Sequence, residues 1–328
     1  MRESLRRHRR RHKQARGWII LCAVILAVIL ASGTILAAIF GDNAQDSEGS
    51  SASVSTTTRK TLPLEFINRN TASPYIILAD VTNNRVLYQK QADAKCYPAS
   101  MTKMMTALVA MDNASVDTVI TVGDEIRMID PGSSVAFLTI GSKLTLEQAL
   151  QALLLPSGND AAYTIAANIG RIIAADESLD NRAAIEAFCQ AMNKKAEELG
   201  CRNTHFVNPD GVHHDNHYTT AADMLKIAEA TLGQELIARI VSTGEAQVRL
   251  VSGQTVTWKN SNKLVREGNA FTYAGATGLK TGSTDEAGYC LAASAVRDGQ
   301  TSIAIVMGAT EEYSRWEDAS GLLDISFQ

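Results

Sequence analysis

Apolar and polar residues divide the chain into three stretches of different character. Residues 17–41 are all uncharged and mostly Ile, Leu, Val or Ala, and this stretch is longer than the roughly 20 residues a helix needs to cross a bilayer. From residue 42 the composition turns to Ser, Thr, Ala, Asp and Gly, which predicts a flexible linker over 42–72. Residues 73–328 show recurring strand and helix patterns, and we expect them to form one globular domain.

Runs of β-branched and aromatic residues predict strands near both ends of this domain. Residues 75–81 and 86–88 flank a turn that contains Asn83 and Asn84, which predicts a β-hairpin. Strand character returns late in the chain, at 247–251, 289–295 and 301–307.

Helical periodicity fills most of the region between these strands. Apolar residues recur at helical spacing from Met101 to Met111, and another helix starts at Thr145, a suitable N-cap, and stops at Pro156. Strands, then helices, then strands again predict an α+β fold, with one antiparallel sheet built from both chain ends around an inserted helical subdomain. Further helices are expected at 160–173, 181–199 and 316–327.

Basic residues are concentrated at the N-terminus. Residues 1–16 hold eight of the 31 Arg and Lys and one of the 35 Asp and Glu, which leaves 23 basic and 34 acidic residues, a net charge of −11, in the rest of the chain. An acidic globular portion argues against nucleic acid as a partner. Basic residues before an apolar span predict a cytoplasmic segment at 1–16 and a single-pass transmembrane signal anchor at 17–41, with the domain on the far side of the cell membrane. The alternative is a cleaved signal peptide and a secreted domain.

Three short motifs bring side chains suited to acyl transfer into the domain. In the first, Ser100 and Lys103 stand three residues apart near the start of a predicted helix, so the lysine amine can reach the serine hydroxyl. Burial, the helix N-terminus and a second cation such as Lys280 would lower the pKa of the lysine and make it a base. Alone, the same pattern also fits a capping serine followed by a solvated lysine.

The second motif is Ser157-Gly158-Asn159, which follows Pro156 in a predicted tight turn between two helices. Its serine hydroxyl can relay a proton, and its Asn amide can orient Lys103 and bind a substrate carbonyl. Alone, these residues also fit ordinary turn chemistry.

The third motif is Lys280-Thr281-Gly282, which leads into a predicted strand. A lysine beside a hydroxyl suits a substrate carboxylate, and the glycine lets a ligand approach the strand closely. Alone, it also fits an edge strand protected by a charge. Together and in this order, the three motifs indicate a serine acyl-transfer enzyme.

Histidines offer a different class of site. His213 and His217 stand four residues apart and invite a zinc-peptidase interpretation. The segment 212–217 is polar and shows no helical pattern, so we expect solvated loop histidines and no metal. Cysteine spacings match no zinc motif either, and we expect unpaired, partly buried thiols at Cys96, Cys189, Cys201 and Cys290.

With these residues in hand, the chain resembles the low-molecular-mass penicillin-binding proteins, specifically the serine D-Ala-D-Ala carboxypeptidases. The resemblance covers nearly all of 73–328 and implies a β-lactamase/transpeptidase-like fold for this catalytic domain. It rests on segments longer than the motifs themselves, namely 98–106, 155–162, 204–211, 278–284 and 287–290.

The resemblance implies that Ser100 attacks the peptide bond between the two terminal D-alanines of a peptidoglycan stem peptide. Lys103 would take the serine proton, while Ser157 and Asn159 assist proton transfer and positioning. The backbone N–H groups of Ser100 and Ser283 would form an oxyanion hole.

The resemblance also implies that Lys280 and Thr281 bind the terminal carboxylate, and that Gly282 and Ser283 belong to the same substrate-binding segment. No metal or organic cofactor is expected. Penicillin and other β-lactam antibiotics, which mimic the D-Ala-D-Ala end, should acylate Ser100. Alternatives with the same fold are a D,D-endopeptidase or transpeptidase and a serine β-lactamase, and a non-catalytic penicillin sensor is the alternative from another class.

Overall fold

The computed structural model describes residues 71–328, which form an α+β domain. Most of the linker predicted over 42–72, and both segments predicted over 1–41, lie outside the described residues. The strands are β1 (Tyr75–Asp80), β2 (Arg85–Lys90), β3 (Val119–Thr121), β4 (Lys143–Thr145), β5 (Glu245–Arg249), β6 (Thr255–Lys259), β7 (Ala276–Gly278), β8 (Thr281–Thr284), β9 (Gly288–Arg297) and β10 (Gln300–Ala309).

Seven α-helices accompany these strands in the described part of the chain. They are α1 (Lys103–Asn113), α2 (Leu146–Leu154), α3 (Asn159–Ala174), α4 (Asn181–Glu198), α5 (Ala221–Gly233), α6 (Glu235–Ser242) and α7 (Glu312–Ser326). Short 3-10 turns occupy Ala99–Thr102, Asp124–Met128 and Lys263–Val265.

The central sheet joins the two ends of the domain. Its six strands run β2-β1-β10-β9-β7, with β8 also paired to β9, and every pairing is antiparallel. The first hairpin therefore lies beside strands from the last third of the chain. This confirms the prediction of an antiparallel sheet built from both ends of the domain. The prediction of a single sheet was wrong, because among the described strands β5 pairs only with β6, and β3 only with β4, in two separate two-stranded sheets.

The two faces of the sheet pack against different helices. Along β1, Ile77 and Ala79 belong to the large core shared with the inserted helices, whereas Ile76 and Leu78 pack in a second core with α7. This alternation follows from the two-residue period of a strand. Trp316 of α7 is fully buried in the second core, so the sheet is covered on both faces.

Most predicted elements lie where the sequence places them. Thr145 caps α2, and its side chain and that of Gln148 form a reciprocal capping box. The strand predicted at 247–251 instead spans Glu245–Arg249, because Leu250 and Gly253 form the turn to β6. Helices α5 and α6 were not predicted.

Two further predictions concern cysteines and membrane spans. Within residues 71–328, the four cysteines are unpaired and buried, more deeply than expected. In the same region, none of the helices is long and apolar enough to cross a bilayer. The predicted anchor at 17–41 falls outside the described residues and stays a prediction.

Candidate active site

Ser100 and Lys103 lie at the junction of the 3-10 turn 99–102 with α1. The lysine side chain is fully buried, and its Nζ lies 2.9 Å from Ser100 Oγ. The spacing of three residues therefore brings amine and hydroxyl into contact, as predicted.

Two further oxygens surround the lysine amine. Lys103 Nζ donates to Asn159 Oδ1 at 2.7 Å and to the Asp210 carbonyl oxygen at 2.8 Å. With Ser100 these acceptors match the three N–H bonds of an ammonium group. Burial lowers the pKa of Lys103 to about 8, although the carboxylates of Asp210 and Asp160 act in the opposite direction. A substantial fraction of the lysine is therefore neutral near physiological pH and able to accept a proton.

The turn at 157–159 is held in one conformation by its backbone contacts. Ser134 Oγ donates to the Ser157 carbonyl oxygen at 2.7 Å, and the Asn159 N–H donates to the Ser134 carbonyl oxygen at 2.8 Å. Ser157 adopts a left-handed backbone with φ of 64°, and Asn159 begins α3. These contacts place the buried Ser157 beside the asparagine that binds Lys103.

Strand β8 lies beside Ser100. The Ala292 N–H donates to the Lys280 carbonyl oxygen, and alternation along the antiparallel ladder then points the backbone groups of Thr281 and Ser283 away from β9. A Cβ on Gly282 would lie 2.9 Å from the Ser100 nitrogen. Only glycine therefore fits between this strand and the serine.

Two buried basic side chains lie beside the first residues of β8. Lys280 is fully buried, and burial, with Lys103 and Arg315 nearby, lowers its pKa well below the ordinary value. The Arg315 guanidinium donates to the Gly282 carbonyl oxygen at 3.3 Å. A bound anion would offset the cost of burying these groups together.

A hydroxyl pair completes this end of the site. Thr281 Oγ1 donates to Ser261 Oγ at 2.9 Å, and Lys280 Nζ lies 3.5 Å from the same oxygen. Ser261 and Arg315 were not predicted as site residues. Neither belongs to a recognisable motif, and the fold alone brings them to β8, so the sequence carries no local signal for them.

The histidine prediction was wrong for His217. This residue is buried, and its Nε2 lies 2.8 Å from Oγ1 of Thr102, two residues after Ser100. Its Nδ1 accepts the Val207 N–H at 3.2 Å, so the proton of the neutral ring lies on Nε2. Burial is the main cause that lowers the pKa of His217 to about 3. Within residues 71–328, no group of three or more His, Cys, Asp or Glu side chains is arranged to hold a metal ion.

The predicted site residues thus come together from three distant parts of the chain. Ser100, Lys103 and Asn159 form one hydrogen-bonded group, and Ser157 adjoins it. Gly282 packs on the serine nitrogen and is preceded by Lys280 and Thr281 and followed by Ser283. Such an arrangement can activate a serine, stabilise an oxyanion and bind an anionic group beside it. The individual catalytic roles stay predictions.

Known proteins share this fold and sequence pattern. The crystal structure of the Streptomyces K15 DD-transpeptidase matches with a TM-score of 0.71 and 33% identity, and the match covers 78% of this chain and 97% of that one. D-alanyl-D-alanine carboxypeptidase DacF of Bacillus subtilis is 35% identical over 255 residues, which are 76% of this chain and 61% of its own length. A D-alanyl-D-alanine carboxypeptidase of Streptomyces sp. strain K15 is 36% identical over 252 residues, 74% of this chain and 82% of its own.

The match extends to a family model. The chain spans less than two thirds of the Bacillus protein and more than three quarters of the Streptomyces one. The model of peptidase family S11, D-alanyl-D-alanine carboxypeptidase, matches residues 63–311. This range contains all three motifs, so the chain belongs to the S11 family of D-alanyl-D-alanine carboxypeptidases.

Proposed function

We propose that this protein is a serine D,D-carboxypeptidase that removes the terminal D-alanine from peptidoglycan stem peptides and binds penicillin. The observation that carries the proposal is the fully buried Lys103 amine, which lies 2.9 Å from Ser100 Oγ and has a pKa lowered to about 8. A lysine of ordinary pKa would be almost wholly protonated at neutral pH and unable to act as a base.

The reaction begins when Ser100 Oγ attacks the carbonyl carbon of the penultimate D-alanine. Neutral Lys103 takes the hydroxyl proton as the new C–O bond forms. The N–H groups of Ser100 and Ser283 stabilise the negative charge on the carbonyl oxygen. The C–N bond then breaks, and the proton passes from the lysine, by way of Ser157, to the amine of the leaving D-alanine.

Hydrolysis of the acyl-enzyme completes the cycle. A water attacks the ester carbon and gives one proton to Lys103, which returns it to Ser100 Oγ as the ester bond breaks. The departed D-alanine carries the carboxylate that Lys280, Thr281 and Arg315 bind in the substrate, so this subsite selects peptides with a free C-terminus.

Intact-mass spectrometry of the full chain mixed with benzylpenicillin tests this proposal. We expect a long-lived adduct of one penicillin per chain in the wild type and none in Ser100→Ala. Release of D-alanine from diacetyl-L-lysyl-D-alanyl-D-alanine should show the same dependence. Absence of any adduct would overturn the proposal in favour of a non-catalytic protein. An adduct that vanishes within seconds while penicillin is consumed would indicate a β-lactamase.

Transfer or cleavage of cross-linked peptides is the second candidate. The similar Streptomyces K15 structure is named a DD-transpeptidase, and an Escherichia coli relative with 29% identity is named D-alanyl-D-alanine endopeptidase. Adding an amine acceptor such as glycine to the peptide assay distinguishes the outcomes. A peptide product with glycine in place of D-alanine would indicate transfer, and the shortened peptide alone would indicate hydrolysis.

We also propose that residues 17–41 anchor the protein in the cell membrane, with the catalytic domain outside and residues 1–16 in the cytoplasm. The uncharged stretch and the eight basic residues before it support this orientation. The full chain should stay in the membrane fraction after alkaline extraction and keep its N-terminal residues. Recovery from the medium without them would indicate cleavage and secretion.

A further inference from the structure

The side chain of Phe137 is exposed to solvent although it is aromatic. It is 83% exposed, the largest exposed fraction among the large hydrophobic residues that the structure describes. Its backbone has φ of 61°, a left-handed conformation that is costly for a bulky residue. A scattered exposed hydrophobic residue needs no explanation, but one in a strained conformation does.

A buried carboxylate imposes this conformation. The Ala136 N–H donates to Asp160 Oδ1 at 2.8 Å, and the Leu138 N–H donates to Asp160 Oδ2 at 2.9 Å. Asp160 is only 2% exposed, and both neighbours of Phe137 are buried. The two oxygens of one carboxylate therefore fix the chain on either side of Phe137 and turn its ring outward.

The same contacts attach Phe137 to the catalytic turn. Asp160 follows Asn159 directly, and the Ala136 Cβ lies 2.8 Å from the position of a Cβ on Gly158. The Ala136 carbonyl oxygen accepts the indole N–H of Trp258 at 3.0 Å, which fixes the segment from its other side. Ala136 therefore lies against the turn that carries Ser157 and Asn159, and Phe137 is the next residue along the chain.

We propose that Phe137 is a specificity-determining residue that packs against the apolar part of the acyl donor. The inference rests on the proposed function. The occupant is the methylene chain of the diamino residue that precedes D-Ala-D-Ala in a stem peptide, or the side chain of a penicillin in its place. Such a contact removes apolar surface of both partners from water, and a ring held in advance loses little conformational freedom on binding.

Pairs of substrates that differ in this apolar part test the inference. We would measure kcat/KM of the full chain for diacetyl-L-lysyl-D-alanyl-D-alanine and for acetyl-D-alanyl-D-alanine. Acylation rates with benzylpenicillin and with 6-aminopenicillanic acid, which lacks a side chain, form the second pair. Phe137→Ala should slow the longer member of each pair about tenfold and the shorter one much less, and Phe137→Trp should restore the preference.

Two controls separate specificity from folding. Phe137→Gly also removes the ring but suits a left-handed backbone, so it should match Phe137→Ala in specificity without loss of stability. Val86→Ala removes a side chain that is 55% exposed on β2, on the opposite edge of the sheet from β7, and should leave both ratios unchanged.

The inference and the proposed function fail in different ways. If the wild type discriminates within each pair and all Phe137 variants keep the same ratios, the inference is overturned while the proposed function stands. If the wild type neither forms an adduct nor releases D-alanine, both are overturned.

Discussion

In the proposed mechanism, the charge of Lys103 decides whether Ser100 can react. The Ser100, Asn159 and Asp210 oxygens around its amine suit an ammonium ion, whereas its complete burial favours the neutral amine. Burial prevails, and the pKa falls to about 8. Near pH 8 the site therefore holds both the neutral and the protonated form of Lys103.

The rate of acylation should rise with pH through the pKa of Lys103. Only the neutral amine accepts the serine proton, so the rate constant with benzylpenicillin is low well below pH 8 and levels off above it. Stopped-flow or quenched-flow measurements between about pH 6 and pH 10 check this. A rate that is independent of pH over this range would contradict the assignment of Lys103 as the base.

Asp210→Asn should move that profile to lower pH. The Asp210 carboxylate raises the pKa of Lys103, and an amide of the same shape removes its charge while the backbone carbonyl still accepts from the lysine. The acid limb of the acylation profile should therefore shift toward acid, with little change in the plateau rate. The control is Asp298→Asn, which makes the same change at an exposed carboxylate. Asp223 is unsuitable as a control because its carboxylate forms an ion pair with Lys226.

Strand β8 belongs to the candidate site through its backbone, because the residue that lies closest to Ser100 is Gly282, which has no side chain. Gly282 allows the close approach because it lacks a side chain, and backbone atoms of Pro98 and Ser100 occupy the space that a Cβ would need. The flanking residues turn their backbone groups outward and leave an edge on which an extended peptide can pair. In the proposed function, this strand lies against Ser100 and also offers the substrate an edge for pairing.

Gly282→Ala should lower the acylation rate about a hundredfold or more with little loss of folded protein. The new methyl group would push β8 away from Ser100 and displace the N–H of Ser283. Intact-mass kinetics with benzylpenicillin measure the effect. Gly233→Ala is the matched control, because a Cβ there meets no atom within 4 Å. Equal rates in the two variants would contradict this account of β8.

At the scale of the whole molecule, the sheet depends on both chain ends and on the helix that covers them. Trp316 of α7 is fully buried against strands from the first and last parts of the domain. The guanidinium of the neighbouring residue Arg315 donates a hydrogen bond to the Gly282 carbonyl oxygen in β8. One helix therefore contributes both to the second core and to the strand that we propose binds the substrate.

Trp316→Ala should reduce the free energy of unfolding by about 3–5 kcal/mol because it leaves a large cavity. Urea unfolding followed by far-UV circular dichroism measures this loss. Tyr313→Ala in the same helix, where the ring is 53% exposed, should change stability by about 0.5 kcal/mol or less. A loss of similar size in both variants would contradict the assignment of Trp316 to the core.

The features that could be predicted from the sequence are those that depend on residues close to one another along the chain. The three-residue spacing of Ser100 and Lys103, the cap at Thr145 and the strand character of 289–295 and 301–307 are set by residues close along the chain, and the structure has them. Burial of His217 and the approach of Arg315 to β8 depend on packing between distant segments, so no pattern within either segment reveals them.

The order of strands in the sheet has a consequence for the biogenesis of this protein. β1 is among the first elements of the domain to be synthesised, yet its partner β10 belongs to the last 30 residues. Until the ribosome has completed β10, one edge of β1 stays without its native partner, and such edges promote aggregation. A chain whose β10 has not yet been synthesised is therefore open to association with other chains through this edge of β1.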